Sequence, residues 1–211
     1  MNNLENIIFF NQIEKDNYSK AIKCLNGQII NYSKDEYLNI KTNSLKAAII
    51  LEGIVDLVSI DIEGRLTLHN RYIKNQSFIF NIKNENKGYL SITPSKVLIL
   101  DLESIFNENK KNCPIRATVM ENIIKLQNSQ SHELNYKTDI YLEKSLRKKI
   151  IKYLKKLEPM YNDKKINIPF NREDLASYLS CDRSALSREL SRMEKDGLIK
   201  VNKNIVTLIN I

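Results

Sequence analysis

The chain has 211 residues, 42% of them hydrophobic and 27% charged, with a formal net charge of +8. No apolar run approaches the roughly 20 residues of a membrane helix, and no cationic start with a long apolar stretch marks a signal peptide. Cys24, Cys113 and Cys181 are too few and too scattered for a disulfide scaffold or a zinc ribbon, so the expectation is a globular protein of the reducing cytoplasm, of one or two domains.

The charge is uneven. Residues 1–111 carry a net of +1 and residues 112–211 a net of +7. Localised positive charge is the footprint of a polyanion partner, because counterions released from phosphates drive the association.

Residues 4–25 read as a peripheral helical segment with Leu4, Ile7, Ile8, Ile13, Ala21, Ile22 and Leu25 apolar. From Gly27 to Leu102, short runs rich in Ile, Val, Leu and Tyr alternate with Gly, Asn and Asp turns. Two strands flank Gly53, and Asp61-Ile62-Glu63-Gly64-Arg65 forms a second turn before Leu66-Thr67-Leu68. Further strands are expected at Ser77–Ile82, Gly88–Ile92 and Lys96–Asp101, the pattern of a β-sandwich or small barrel.

Residues 112–136 switch to helical period, with Asn112 as cap and Pro114 in the first turn. Ile115, Val119, Ile123 and Leu126 make an apolar stripe spaced 4, 4 and 3, widened by Met120 and Ile124. A seam of this kind on a helix joining two domains predicts dimerisation along it, with those four residues as the interface.

Residues 138–211 form a third unit. Thr138 or Asp139 caps a helix bearing Leu142, Leu146, Ile150, Tyr153, Leu154 and Leu157, and Pro159 ends it. Its other face is rich in lysine, including Lys144, Lys148, Lys152, Lys155 and Lys156, which a solvated surface also explains. Asn171 has N-cap and Asp174 N3 character. Leu175, Ala176 and Leu179 face inward, Ser180-Cys181-Asp182 makes a tight connection, and Asp182 caps a second helix that stops before Gly197. Leu186, Leu190 and Met193 face inward there, while Arg183, Ser184, Ser187, Arg188 and Ser191 fall on the opposite face.

Two short helices of this kind make a helix-turn-helix, whose second helix enters a DNA major groove. Arg183, Ser184, Ser187 and Arg188 are the expected base readers, with Arg188 suited to O6 and N7 of guanine. Asn171, Arg172, Ser191 and Lys203 are the expected phosphate contacts. Lys200–Leu208 reads as a hairpin with an Asn-Lys-Asn tip, which completes a winged helix.

Asn171–Ile199 resembles the helix-turn-helix of the Crp/Fnr family of transcription regulators, relatives of the cyclic-AMP receptor protein. Leu51–Val55 and Asp61–Arg65 resemble strand-turn segments of that family's β-roll, Val97–Asp101 with Ile105-Phe106 its last strand and following helix, and Leu142–Ile150 the entry to its DNA-binding domain. The resemblance implies an α+β chain: a β-roll sensor over 1–111, a dimerisation helix over 112–137 and a winged helix-turn-helix over 138–211. Its function would be that of a homodimer reading a palindromic operator in double-stranded DNA, with RNA polymerase as a further partner and no membrane. Three positions depart from the family. Ser180 stands where Gly is frequent, Ser184 where an acidic base reader is frequent, and Glu189 where an apolar residue is usual.

The family's cyclic-nucleotide binders use a Gly-Glu pair and an Arg. Here Ile79-Phe80 stands at the pair, and no Arg lies between Arg71 and Arg116, so cyclic-AMP binding is not expected. One cysteine in the N-terminal half excludes a four-thiolate iron–sulfur cluster. Haem has only a lone histidine, His69, in its favour, with His132 the only other. No cofactor and no metal site are expected; the effector is left open among an organic ligand, a protein partner and none. Two sparse histidines, with no Walker loop, GxGxxG or nucleophile elbow, argue against an enzyme. An interaction module or small-ligand binder of the same fold is the alternative.

Overall fold

A computed structural model of the chain describes residues 4–5, 7–38, 44–64, 66–80, 87–106, 115–161 and 165–210. The expected roles of Asn112, Pro114 and Cys113 lie outside these residues. Contacts divide the chain into two units, Met1–His132 and Glu133–Ile211.

Among the described residues, the first unit holds seven strands: β1 (Gln28–Tyr32), β2 (Lys46–Glu52), β3 (Ile54–Ile60), β4 (Leu66–Ile73), β5 (Ser77–Phe80), β6 (Lys87–Ser91) and β7 (Ser95–Asp101). They form two antiparallel sheets, in the orders β1-β7-β2-β5 and β4-β3-β6. The chain changes sheet at Gly53, whose φ of +88° and whose lack of a Cβ are both needed. A Cβ there would lie 2.3 Å from the Ser95 hydroxyl and 2.6 Å from the Pro94 carbonyl.

The central strands of the first sheet are buried on both faces, which explains their nearly continuous apolar sequence. Ala48, Ile50, Val97 and Ile99 face a core shared with Tyr32, Val55, Tyr72, Phe78, Phe80 and Tyr89. Ala47, Ile49, Leu98 and Leu100 face a second core. Strand alternation assigns consecutive residues to the two layers.

The second core corrects the expectation for residues 4–25. Only α1 (Tyr18–Cys24) is α-helical; Ile8–Phe10 and Lys15–Asn17 are 3-10 turns. The segment is not peripheral. Leu4, Ile7, Phe9, Phe10, Ile13, Ala21 and Leu25 are buried against the first sheet and against α2 (Arg116–Tyr141). Burying a side chain of that size contributes about 1.5–3 kcal/mol, so this strap is integral to the unit. The Asn122 side-chain amide donates to the carbonyls of Phe9 and Asn11, at 3.1 and 2.7 Å. Gln130 accepts from the Ile79 amide at 2.8 Å and donates to the Ile79 carbonyl at 3.1 Å, on the edge strand β5.

The second sheet contains a buried bidentate pair. Arg71 donates to both Asp56 oxygens, at 2.8 and 2.7 Å, between facing positions of β3 and β4.

The second unit takes the last turns of α2, which runs past the expected end of the helix to Tyr141. Ile140 is fully buried there, and the buried Lys137 ammonium lies 4.5 Å from the centre of the Tyr178 ring. Because α2 occupies Thr138 and Asp139, the next helix, α3 (Leu146–Leu157), is capped instead by Ser145, whose hydroxyl accepts from the Lys148 amide. Beyond it come β8 (Lys165–Asn167), α4 (Arg172–Tyr178), α5 (Arg183–Lys195), β9 (Ile199–Asn202) and β10 (Ile205–Leu208), with the sheet order β8-β10-β9. Tyr153, Phe170 and Tyr178 form a ring cluster with centroids 5.1–6.2 Å apart.

Candidate nucleic-acid interface

Helix α4 begins as its sequence requires. The Asn171 side chain accepts from the Asp174 amide at 2.8 Å, which satisfies one of the amides left open at a helix start. Asp182 occupies the N-cap position of α5 with extended backbone but makes no side-chain cap bond. At its far end α5 closes in a Schellman arrangement: Gly197 takes a φ of +71°, its amide donates to Glu194, and the Leu198 amide donates to Met193.

The turn between the helices explains the Gly frequent in the resembling family. Ser180 has a φ of +53°, a left-handed conformation that glycine adopts freely and serine does not. Burial raises the pKa of the Tyr141 phenol, at the end of α2, and the Ser180 hydroxyl beside it opposes that rise. Cys181 is half-buried beside it, and burial pushes its thiol pKa up, against the Lys149 charge and with that of Asp182.

Leu186, Leu190 and Met193 are buried, and Arg183, Ser184, Ser187, Arg188 and Ser191 are exposed together on the other face of α5. The four expected base readers therefore share one surface. Arg183 stands 3.9 Å from Glu173 in an exposed pair, which contributes little in water. The wing is the β9–β10 hairpin, with Lys203 exposed at a two-residue turn. The Glu194 carboxylate accepts from the Val201 amide at 2.9 Å and ties the wing to α5.

The structure brings Asn171, Arg172 and Lys203 to the same end of the unit, with Ser191 further along α5. Arg172 differs from the others. It is half-buried, burial lowers its pKa, and its guanidinium donates to the Lys203 carbonyl at 2.8 Å.

Glu189, at its unusual position, has a partner. Its carboxylate accepts from Arg147 Nε at 2.6 Å, Arg147 also reaches Asp196 at 2.6 Å, and Arg192 lies 3.5 Å away. The resulting hydrogen bonds push the Arg147 pKa further up. Arg147 belongs to the basic face of α3, so part of that face is engaged in ion pairs within the unit. Lys152 pairs with Glu143 at 3.2 Å, and Lys156 pairs with Glu133. On α5 and the wing, Arg183, Arg188, Arg192, Lys195, Lys200 and Lys203 are exposed, while Lys148 and Lys155 remain exposed on α3. Sequence spacing did not reveal the Arg147–Glu189 pair, since 42 positions separate its members.

The stripe assigned to dimerisation requires correction. Ile115, Val119 and Leu126 are buried in the core of their own protomer, and Ile123 packs against it. The buried side chains of Ile115, Val119 and Leu126 are not available to a second chain. A different face of α2 is open. Ile124 is 60% and Leu134 65% exposed, and they lie in the series Ala117, Met120, Ile124, Gln127, Ser131, Leu134, Thr138 and Tyr141, exposed throughout except at Met120, which packs in part against the same core as Ile123. That series alternates steps of three and four along the whole helix, the heptad spacing of a coiled-coil seam.

In the roll, Ile79 and Phe80 stand where the resembling family's Gly-Glu pair would lie. Ile79 lies in the core under the N-terminal strap. Phe80 joins Tyr72, Phe78 and Tyr89 in an aromatic cluster, with Phe78 stacked on Tyr89 at 4.4 Å. Burial raises the Tyr89 pKa far above the usual phenol range. The His69 Nε2 lies 2.7 Å from the Ser59 hydroxyl of the neighbouring strand, and His132 is exposed on α2. Among the described residues, no group of three or more His, Cys, Asp or Glu is placed to hold a metal. None of the described helices is long and apolar enough to cross a membrane.

Residues 148–211 match the model of the Crp-like helix-turn-helix domain. A comparison with curated proteins finds no match. Among solved structures, the chain is similar to a double mutant of CooA from Carboxydothermus hydrogenoformans, with a TM-score of 0.73 and 18% identity over 92% of this chain and 87% of that one. It is similar also to CLP, the c-di-GMP-responsive global regulator of Xanthomonas campestris, with a TM-score of 0.66 and 13% identity over 92% and 99%. A third is a CRP-family transcriptional regulator from Thermus thermophilus, with a TM-score of 0.59 and 16% identity over 85% and 91%. At these identities the likeness is one of fold.

Proposed function

Because this chain carries a Crp-like helix-turn-helix domain on the fold of the Crp/Fnr regulators, we propose that it is a homodimeric, sequence-specific transcription regulator that grips a palindromic operator. The observation that carries the reading is the exposed face of α5, where Arg183, Ser184, Ser187, Arg188 and Ser191 lie over a fully buried apolar face, beside the Lys203 wing. A helix of that composition presents donors and acceptors to base edges, and its first turn enters the major groove. Ser184 accepts or donates, where a carboxylate only accepts, so the half-site differs from one read by an acidic residue there.

Two copies pair along the open face of α2, through Ala117, Met120, Ile124, Gln127, Ser131, Leu134, Thr138 and Tyr141. Polar Gln127, Ser131 and Thr138 fix the register at some cost in stability. Twofold pairing places two α5 helices on half-sites about one helical turn apart. The protein acts in the cytoplasm, at promoters, by helping or hindering RNA polymerase.

Selection of bound fragments from randomised duplex DNA, with ligand-free protein at two salt concentrations, tests this. The expected result is a palindrome that persists at the higher salt. Sequence-blind binding that disappears with salt, unchanged by cell extract, would refute it.

A further inference from the structure

The wing turn is held by the rest of the domain, and one of its holders is a cation expected to touch DNA. Lys203 and Asn204 are the only residues between β9 and β10. Lys203 adopts a φ of +53°, a conformation a non-glycine residue keeps only where its surroundings fix it. Both carbonyls of the turn are engaged: Arg172, the first residue of α4, donates to Lys203 at 2.8 Å, and the Ile168 amide donates to Asn204 at 2.9 Å. The guanidinium is half-buried. The Lys203 side chain is exposed.

We propose that Arg172 is a positioning residue: it holds the Lys203 carbonyl and so presents the Lys203 ammonium to a DNA phosphate, instead of gripping a phosphate itself. The proposal rests on the DNA-reading function above. It predicts that the two residues act as one element. Removing the guanidinium frees the turn, and the ammonium then has to be ordered at the moment of binding. Removing the ammonium leaves the guanidinium holding an empty turn. Two independent phosphate contacts would behave otherwise, each adding its own affinity and its own counterion release.

Two measurements on the full-length protein test it. The first uses no DNA: hydrogen exchange across residues 199–208 in wild type and Arg172→Ala, with helical content checked by circular dichroism. The expected result is exchange about ten-fold faster in the hairpin of the variant, at unchanged helicity. Equal exchange would overturn the proposal. The second is a salt titration of binding to a random-sequence duplex by wild type, Arg172→Ala, Lys203→Ala and the double variant. Both single variants should weaken binding, and the double variant should be no weaker than Lys203→Ala within about two-fold. The slope of log affinity against log salt should fall by about 0.9 in Lys203→Ala and by no more in the double variant. Multiplying losses with a further fall in slope would show that Arg172 holds its own phosphate and would overturn the proposal, as would a Lys203→Ala variant that binds like wild type. A wild type that shows no salt-dependent binding would sink the DNA-reading function, while the exchange measurement still judges the latch.

Discussion

Single residues decide what the α4–α5 pair reads and how firmly its turn is set. Replacing Arg188 with Ala should cost about 1–3 kcal/mol at one base position of the operator and relax the preference there, as measured by binding to single-base variants. Uniform weakening across all sequences would instead mark Arg188 as a backbone contact. Ser180 is a test of strain. Ser180→Ala and Ser180→Gly both lose the hydroxyl beside Tyr141, but only glycine relieves the φ of +53°. The glycine variant should therefore be the more stable of the two by about 1–2 kcal/mol in denaturant unfolding. These positions were legible in the sequence because their signals are local. Asn171 announces a cap, Gly197 a helix end, and Ser180 sits where spacing puts a turn. Glu189 and Arg172 were not legible, because what defines each is a partner 42 or 31 positions away.

At the scale of elements, α2 shows why periodicity alone misassigns a surface. Its two stripes lie side by side. The more apolar one, through Ile115, Val119 and Leu126, closes the core beneath the first sheet, and the more polar one faces out. Sequence ranks stripes by hydrophobicity, whereas the stripe that another chain can use is the one left over after the protomer folds. The N-terminal strap, read as peripheral, takes the apolar stripe through Phe9, Phe10 and the Asn122 hydrogen bonds. The two faces should separate experimentally. Leu126→Ala should destabilise the protomer by about 2–5 kcal/mol and leave its association constant nearly unchanged. Ile124→Glu should leave thermal unfolding of the protomer almost unaltered and shift sedimentation toward monomer. The reverse pattern would return the seam to the stripe first assigned.

Over the whole molecule, the sequence showed a β-rich stretch from Gly27 to Leu102, a long helix and a winged helix-turn-helix, because each has its own period. It did not show that β2 lies between β7 and β5, or that the strands divide into two sheets. Those pairings join segments up to about 70 positions apart, as Gln28 with Ile99, and alternation does not encode which strand is a neighbour. Nor did it show that both faces of the first sheet are buried, which turns an apolar run into two cores. The interior between the sheets holds its own stacked rings, Phe78 on Tyr89 with Tyr72 and Phe80 beside them.

The Gln130 amide bears on the protein's life outside any DNA complex. Strand β5 ends its sheet, and an open strand edge is a template on which other chains add strands. By occupying both the N–H and the C=O of Ile79, one side chain from α2 mimics the next strand at that residue and covers the edge there. Gln130→Ala should leave the fresh protein's fold intact and, on storage at high concentration, produce growing light scattering with a thioflavin-positive fraction that the wild type lacks. The same glutamine occupies the backbone groups of Ile79 that an added strand would need.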